Sequence, residues 1–387
     1  MKLFERAAEL TQETIEHRRW FHKTAEVGLH MPKAVAYVKE NLAAWGLEPK
    51  ECGAGVTATL GSGGKTLLLR ADMDALPMAE ESGLEFACTE GRAHACGHDF
   101  HAAMLLTAAK LLKEREDELH GTVRFMFQPA EETFDGAQNM IEHGILEPKP
   151  DAAMAFHVTA GQMPTGMVFY NDTTDAMMFS VDVFELTVHG RGSHGAYPHY
   201  SVDPINIGAH IHLALQTLIA RECNPTKAAV LTIGQFTAGS APNIIPETAV
   251  LKGTIRSNDP QERALLTRRL QEVCEGTAAL FGGTVDLHWI NNLPPLMCKP
   301  ELVKDMVGYI EQIPGISCHP GASASASEDF ALISEQIPSV FLYLSAGFTD
   351  ERGCASAHNP KVQFNEDALI QGATALAHCA LSWLQNN

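Results

Sequence analysis

The chain has 387 residues, too many for one ordinary domain, and at roughly 150 residues per domain it divides into two or three. Its composition, 45% hydrophobic and 19% charged with 31 Gly and 20 Pro, permits a large core and excludes collagen-like and disordered classes. Lys and Arg number 28 against 47 Asp and Glu, a formal charge of −19 that phosphate backbones and anionic lipid would repel, so neither nucleic acid nor a membrane is expected as a partner.

The chain opens on Met1-Lys2-Leu3-Phe4-Glu5-Arg6, which lacks the apolar centre of an export signal, and no later stretch approaches about 18 uncharged apolar residues. The first element read from the pattern is a buried strand over 66–71 (TLLLRA). Apolar residues at Met104, Leu105, Ala108, Leu111 and Leu112 repeat with a helical period and predict a helix over 102–113. A strand over 122–127, a short helix over 137–143 and a strand over 152–156 follow. This alternation predicts an α/β fold with a mixed, mostly parallel sheet covered by helices. Each strand runs into acid or histidine: Asp72 and Asp74, Glu131 and Glu132, His157. In open α/β sheets the ligand crevice lies beyond the carboxyl ends of the strands, so these side chains can converge.

From about residue 180 the rhythm changes. An alternating strand over 183–189 precedes Asp203-Pro204, a cap followed by proline at the first helical position, which opens a helix to about 219. Strands over 228–236 and 248–256 follow, Asp259-Pro260 opens a second helix to about 280, and a strand over 284–290 closes the set. The order β-α-β-β-α-β is ferredoxin-like and complete within about 110 residues. A further buried strand over 339–344 makes this unit an insertion, so the expected domains are 1–180 with 292–387, and 181–291. Nine cysteines, an odd number placed singly without a CxxC pair, fit a reducing cytoplasm better than a disulfide scaffold, and a cytoplasmic protein is expected.

The densest chemistry is His94-Ala95-Cys96-Gly97-His98-Asp99-Phe100-His101, just before the helix over 102–113. Cys96 and His98 stand two apart in a turn where both can face one point, and sulfur with imidazole is a transition-metal pair. A loop cysteine beside solvated histidines is the plain alternative. Glu131 and Glu132 follow a strand through a Pro-Ala turn. Adjacent glutamates are ordinarily a solvated pair, but here one could bind metal while the other takes a proton from water. His157 alone would be a core histidine, and His358 in His358-Asn359-Pro360 a solvated one. Their joint occurrence at sheet ends is what a two-metal hydrolase needs.

RADMDALP (70–77), HACGHDFHAAMLL (94–106), FQPAEE (127–132), FHV (156–158), GRGSHGAYPH (190–199), APNIIPETA (241–249), GTIR (253–256), SEDF (327–330) and HNP (358–360) occur in that order. Together they resemble the M20 metallopeptidase family in its amidohydrolase branch, which holds hippurate hydrolases, N-acyl-amino-acid amidohydrolases and indole-acetyl-amino-acid hydrolases. The resemblance implies a catalytic domain carrying two divalent ions (manganese, zinc, cobalt or nickel) and an inserted dimerisation or lid domain. It implies metal ligands at Cys96, His98, Glu132, His157 and His358, with Cys96 bridging, and a general base at Glu131. Asp72 holds the position of a histidine ligand in related branches and Asp74 that of the acid orienting it; here both, with Asp99, are expected to support the ligands from behind. In the lid, His194 is expected to reach the partner subunit's active site, and Asn243 and Arg256 to bind substrate. The implied reaction is hydrolysis of an N-acyl amino acid by a homodimer (a tetramer being a further option). A peptidase of the same superfamily is the alternative enzyme, and a non-catalytic metal-dependent binding protein the alternative of another class. Three departures from the pattern stand out: Thr133-Phe134-Asp135-Gly136 where glycines are common, Phe100 and Ala102 for Gly and Thr, and Ala25 for Pro. The other cysteines and the His17, His22 and His30 group are read as structural, and Glu328 receives no role.

Overall fold

The structure, a computed structural model, describes residues 2–387. Three helices absent from the expectations open the chain: α1 (Leu3–Glu9), α2 (Thr11–Lys23) and α3 (Pro32–Ala44). The face that α2 buries is largely polar (Thr14, His17, Arg18, Phe21 and His22), so it carries no apolar repeat to read. Next come β1 (Lys50–Cys52), β2 (Gly55–Gly61), β3 (Thr66–Asp72), α4 (His98–Lys113), β4 (Thr122–Gln128), α5 (Gly136–Glu142), β5 (Ala152–Thr159) and β6 (Met167–Tyr170). The middle of the chain forms β7 (Val181–His189), β8 (Ser193–His194), α6 (Pro204–Thr217), β9 (Ala229–Ala238), β10 (Ile244–Ile245), β11 (Thr248–Ser257), α7 (Pro260–Leu280) and β12 (Thr284–Leu293). The last part supplies α8 (Pro300–Ile310), β13 (Ser317–Pro320), α9 (Ala331–Ser334), β14 (Ser339–Ser345) and α10 (Asp367–Asn386).

Two compact units divide these elements. One holds the residues up to Met177, Met297–Ser323 and Glu328–Asn387; the other holds Met178–Leu296 with Ala324–Ser327. The second unit is larger than the 181–291 insertion because Met178 bridges to both Leu296 and Ala324, and Phe179 N–H donates to the Ala326 carbonyl. Among the described residues no helix is long and apolar enough to cross a membrane.

The first unit is built on an eight-stranded sheet in the order β1-β2-β4-β3-β5-β14-β6-β13. Its centre, β4-β3-β5-β14, is parallel, while β2 and β6 join antiparallel on either side, the mixed and mostly parallel sheet expected. The parallel strands therefore finish at one edge: Asp72 pairs with Gln128 across β3 and β4, and His157 with Tyr343 across β5 and β14. Leu67, Leu68, Leu69, Phe125, Phe127, Met154 and Phe341 are fully enclosed between the layers. Helix α4 is buried on nearly every face and α10 packs against it, closely enough that a Cβ at Gly372 would lie 2.0 Å from Met104 Sδ.

One strand of this core is not apolar throughout. Arg70 sits on β3 with 1% exposure and donates to Gln128 Oε1 (2.9 Å), Asp72 Oδ2 (2.7 Å), Glu328 Oε1 (2.8 Å) and Asp329 Oδ1 (2.9 Å). Three carboxylates depend on one guanidinium that water does not reach.

The second unit is the ferredoxin-like set. Its antiparallel sheet runs β12-β7-β11-β9, and α6 and α7 cover it through Phe184, Leu186, Ile211, Leu215, Leu251, Leu266 and Leu270. The Asp203 carboxylate accepts from the Ile205 and Asn206 N–H groups, and Asp259 from those of Gln261 and Glu262, so both caps form as their Asp-Pro pairs predict. Strands β8 and β10 make a separate two-stranded ribbon that pairs His194 with Ile244.

The Arg70 arrangement generates a stability prediction. Arg70→Ala leaves Asp72, Glu328 and Asp329 buried without their cation and is expected to lower the free energy of unfolding by about 3–5 kcal/mol. Urea denaturation checks this, and a loss below about 1 kcal/mol would show that the acids do not depend on Arg70.

Candidate metal centre

Helix α4 begins at His98, four residues earlier than its apolar repeat predicts, and Gly97 is the reason. Gly97 adopts φ +91°, and a Cβ there would lie 2.4 Å from Val158 Cγ2, so only glycine turns the chain sharply enough to present Cys96 and His98 together. His98 Nδ1 stands 3.3 Å from Asp74 Oδ1. The same carboxylate accepts from the N–H groups of Glu131 (3.0 Å) and Glu132 (3.1 Å). Asp74 thus orients His98, not a group at position 72, and fixes the paired glutamates as well. That pair sits in a tight loop: Ala130 has φ +53°, its carbonyl accepts from Asp135 and Gly136 N–H, and a Cβ on Gly136 would lie 1.6 Å from the Pro129 oxygen.

His157 lies within β5, which runs two residues beyond it, instead of following the strand's end. Its Nδ1 is 2.7 Å from the Val158 carbonyl and its Nε2 is 3.4 Å from Cys96 Sγ. His358, at φ +63°, donates its N–H to the Ala95 carbonyl, and its Nε2 lies 3.3 Å from Cys96 Sγ and 3.5 Å from Glu132 Oε1. The five side chains therefore converge. Donor atoms of Cys96, His98 and His157 lie within 4.8 Å of one another, as do those of Cys96, Glu132 and His358, and those of His98, Glu131 and Glu132.

The donor set fits cations. His98 Nε2 and Glu132 Oε1 are buried and make no hydrogen bond, although each faces this cluster. Burial pushes the Cys96 thiol up to about 12 against the pull of His98. Burial, with the negative charge of Glu328 and Asp329, holds the Glu131 carboxyl well above its ordinary range, and burial also raises Glu132 against His98 and His358. His157 is held far below the imidazole range by burial and by its neighbours His101 and His98. Thiol, carboxyls and a neutral imidazole are all poised so that positive charge would favour their ligating forms.

Three acids stand behind these groups, each differently. Asp72 Oδ1 lies 2.5 Å from His101 Nδ1 while Oδ2 accepts from Arg70. Asp74 holds the loop as described. Asp99 touches none of the five; it accepts from Arg18 Nε (2.7 Å), lies 2.8 Å from His22 Nδ1 and so pins the first turn of α4 to α2. Burial disfavours the Asp99 charge, but Arg18 and His22 outweigh it and hold the carboxyl below its usual range. Sequence reasoning missed His101, Arg70, Glu328 and Asp329. A lone arginine inside a buried strand was the available signal that acids must surround it.

His194, Asn243 and Arg256 belong to the second unit. His194 is exposed on β8, its Nδ1 accepting from Ala196 N–H (3.1 Å), and Asn243 is exposed with its carbonyl accepting from Gly195 N–H (2.8 Å). Arg256 Nη1 donates to Ser327 Oγ (2.8 Å), and among the described residues no carboxylate pairs with this guanidinium.

Residues 68–382 match the sequence model of Peptidase family M20/M25/M40. The chain is 36% identical over 383 residues to the N-acetyl-L-cysteine deacetylase of Bacillus subtilis, covering 98% of this chain and 90% of that one. It is 33% identical to the IAA-amino acid hydrolase ILR1-like 2 of Arabidopsis thaliana, over 99% of this chain and 88% of the relative. Its fold superposes on the YXEP protein of Bacillus subtilis, a dinuclear metal binding peptidase from the M20 family, with a TM-score of 0.83 and 29% identity, covering 98% and 100% of the two chains.

Proposed function

The chain belongs to peptidase family M20/M25/M40 and is a hydrolase of amide bonds, and we propose that its substrates are N-acyl amino acids, cleaved to a carboxylic acid and a free amino acid. The convergence of Cys96, His98, Glu132, His157 and His358 beside Glu131 carries this reading. In it, Cys96, His98 and His157 would hold one divalent ion, and Cys96, Glu132 and His358 a second. Such ions supply Lewis acidity that brings the pKa of a water toward neutrality and polarises the acyl carbonyl. The thiolate favours zinc, cobalt or nickel, while the carboxylate and imidazoles also suit manganese.

Glu131 takes the proton of the attacking water and returns it to the leaving amine. Its position suits that transfer, since it lies beside His98 and Glu132, with Oε2 3.9 Å from His98 Nε2, and its backbone is fixed by Asp74. His194 of one protomer supplies a hydrogen bond to the carbonyl oxygen in the active site of the other, the second units forming the homodimer. Arg256 holds the substrate carboxylate and Asn243 is a further substrate-binding residue; a guanidinium that has no acid of its own is suited to the first role. The relatives that act on an N-acetyl amino acid and on amino-acid conjugates support the substrate class. The reaction takes place in the cytoplasm.

Glu131→Gln is expected to retain bound metal while turnover falls on the order of a hundredfold or more. Metal analysis and single-substrate kinetics on zinc- and manganese-loaded enzyme check this, and near-normal turnover removes Glu131 from the mechanism. The same assay, run on benzoyl-glycine, N-acetyl amino acids and dipeptides, decides the substrate class: activity on dipeptides alone makes the enzyme a peptidase instead. The composite site has its own test. Mixing inactive His194→Ala with inactive Glu131→Gln protomers is expected to restore part of the activity, and verified heterodimers with none would end the trans role of His194.

A further inference from the structure

We propose that His101 is a positioning residue that sets the direction in which His157 offers its free nitrogen, an inference that rests on the cation reading above. The backbone groups beside it have a fixed hydrogen-bonding sense: an N–H can only donate and a carbonyl can only accept. Val158 N–H donates to His101 Nε2 at 2.8 Å, so that nitrogen carries no proton. The proton of a neutral His101 is therefore on Nδ1, where it is donated to Asp72 Oδ1 at 2.5 Å. Asp72 is itself held by Arg70 at 2.7 Å.

The next residue repeats the logic in the opposite sense. The Val158 carbonyl accepts from His157 Nδ1 at 2.7 Å, which places the His157 proton on Nδ1 and leaves the Nε2 lone pair toward Cys96 Sγ, 3.4 Å away. Val158 is thus gripped through its N–H by His101 and grips His157 through its C=O. The two imidazoles also meet edge to face, with ring centroids 4.7 Å apart and planes at 66°. Arg70, Asp72, His101, Val158 and His157 form one chain of contacts from the sheet centre to the cluster. His101 is the only member of that chain whose removal both frees the Val158 N–H and strips the packing from one face of the His157 ring. Helix α4 delivers it: His98 and His101 are three residues apart on one face, one facing the cluster and the other supporting it from behind.

Zinc titration of the intact chain, wild type against His101→Ala and His101→Phe, tests the proposal. The expected result is two zinc ions per wild-type chain, with one of the two bound about ten- to a hundredfold more weakly in both variants. Wild-type affinity for both ions in either folded variant overturns the role of His101. A wild-type chain that binds no zinc defeats the cation reading instead, so the two failures are distinguishable. A second measurement does not depend on the variants folding: 15N spectra of metal-free, histidine-labelled wild-type protein should show His101 and His157 both protonated on Nδ1. A His101 proton on Nε2 overturns the proposal by itself.

Discussion

One carboxylate joins the parts of this site that the sequence keeps apart. Asp74 stands just past the end of β3 and accepts the N–H groups of Glu131 and Glu132, while its Oδ1 faces His98 Nδ1 at 3.3 Å. The two ends of the β3–α4 connection and the loop that follows β4 are thereby fixed relative to one another. A carboxylate with two acceptor oxygens can do this because charge-assisted bonds to backbone N–H groups are short and directional. The backbone around it is held in conformations that ordinary residues seldom adopt: Ala130 at φ +53°, Phe134 at φ +61° and His358 at φ +63°. These are the non-glycine residues with positive φ among those described, and all three flank the cluster. Left-handed conformations at such residues cost of order 1–3 kcal/mol each, and they persist where the surrounding bonds over-determine them. Here the Ala130 carbonyl accepts from Asp135 and Gly136, Phe134 N–H donates to the Glu131 carbonyl, and His358 N–H donates to the Ala95 carbonyl.

The second constraint is electrostatic. The chain carries −19 overall, yet the substrates proposed for its site are anionic. Arg70 offsets Asp72, Glu328 and Asp329 only in part, and the remaining negative charge, with burial, keeps Glu131 from ionising easily. The proposed pair of divalent ions would reverse that balance locally, because fields in a poorly solvated pocket are set by the nearest charges. Global charge thus bears on what the surface repels, and says little about what the pocket accepts.

Much of this was legible in the sequence, and the reason is periodicity. Strands β3, β4, β5 and β14 are short apolar runs, and both caps of the second unit are announced by Asp-Pro. The rule that ligands collect at the carboxyl ends of parallel strands pointed to Glu131, Glu132 and His157, while the full set with Cys96, His98 and His358 came from the family resemblance. What stayed hidden is the polar support. Helix α2 buries Arg18 and His22 toward Asp99, and a buried polar face leaves no apolar stripe to detect. The early start of α4 was equally hidden, since its first turn is made of His98, Asp99, Phe100 and His101, mostly polar residues buried because of what they bind. The partner of a buried charge is a three-dimensional fact: Arg70 and Asp329 are 259 positions apart.

One departure from the family pattern, Thr133-Phe134-Asp135-Gly136, falls on the same strained ground. Phe134 occupies a left-handed position three residues after Glu131, where a glycine would be free of strain, and its N–H closes the turn on the Glu131 carbonyl at 2.8 Å. A ring kept at such a position against its own backbone preference is not needed to form the turn, because glycine forms it more easily. The turn itself therefore does not account for phenylalanine at this position. The ring is half-buried and rooted in the loop that carries Glu131 and Glu132. Glu131 and Glu132 are held through their backbone N–H groups by Asp74, a grip that involves no side chain of residues 133–136. Two constraints thus act within one loop: Glu131 and Glu132 are tied to Asp74, and the Phe134 ring is not.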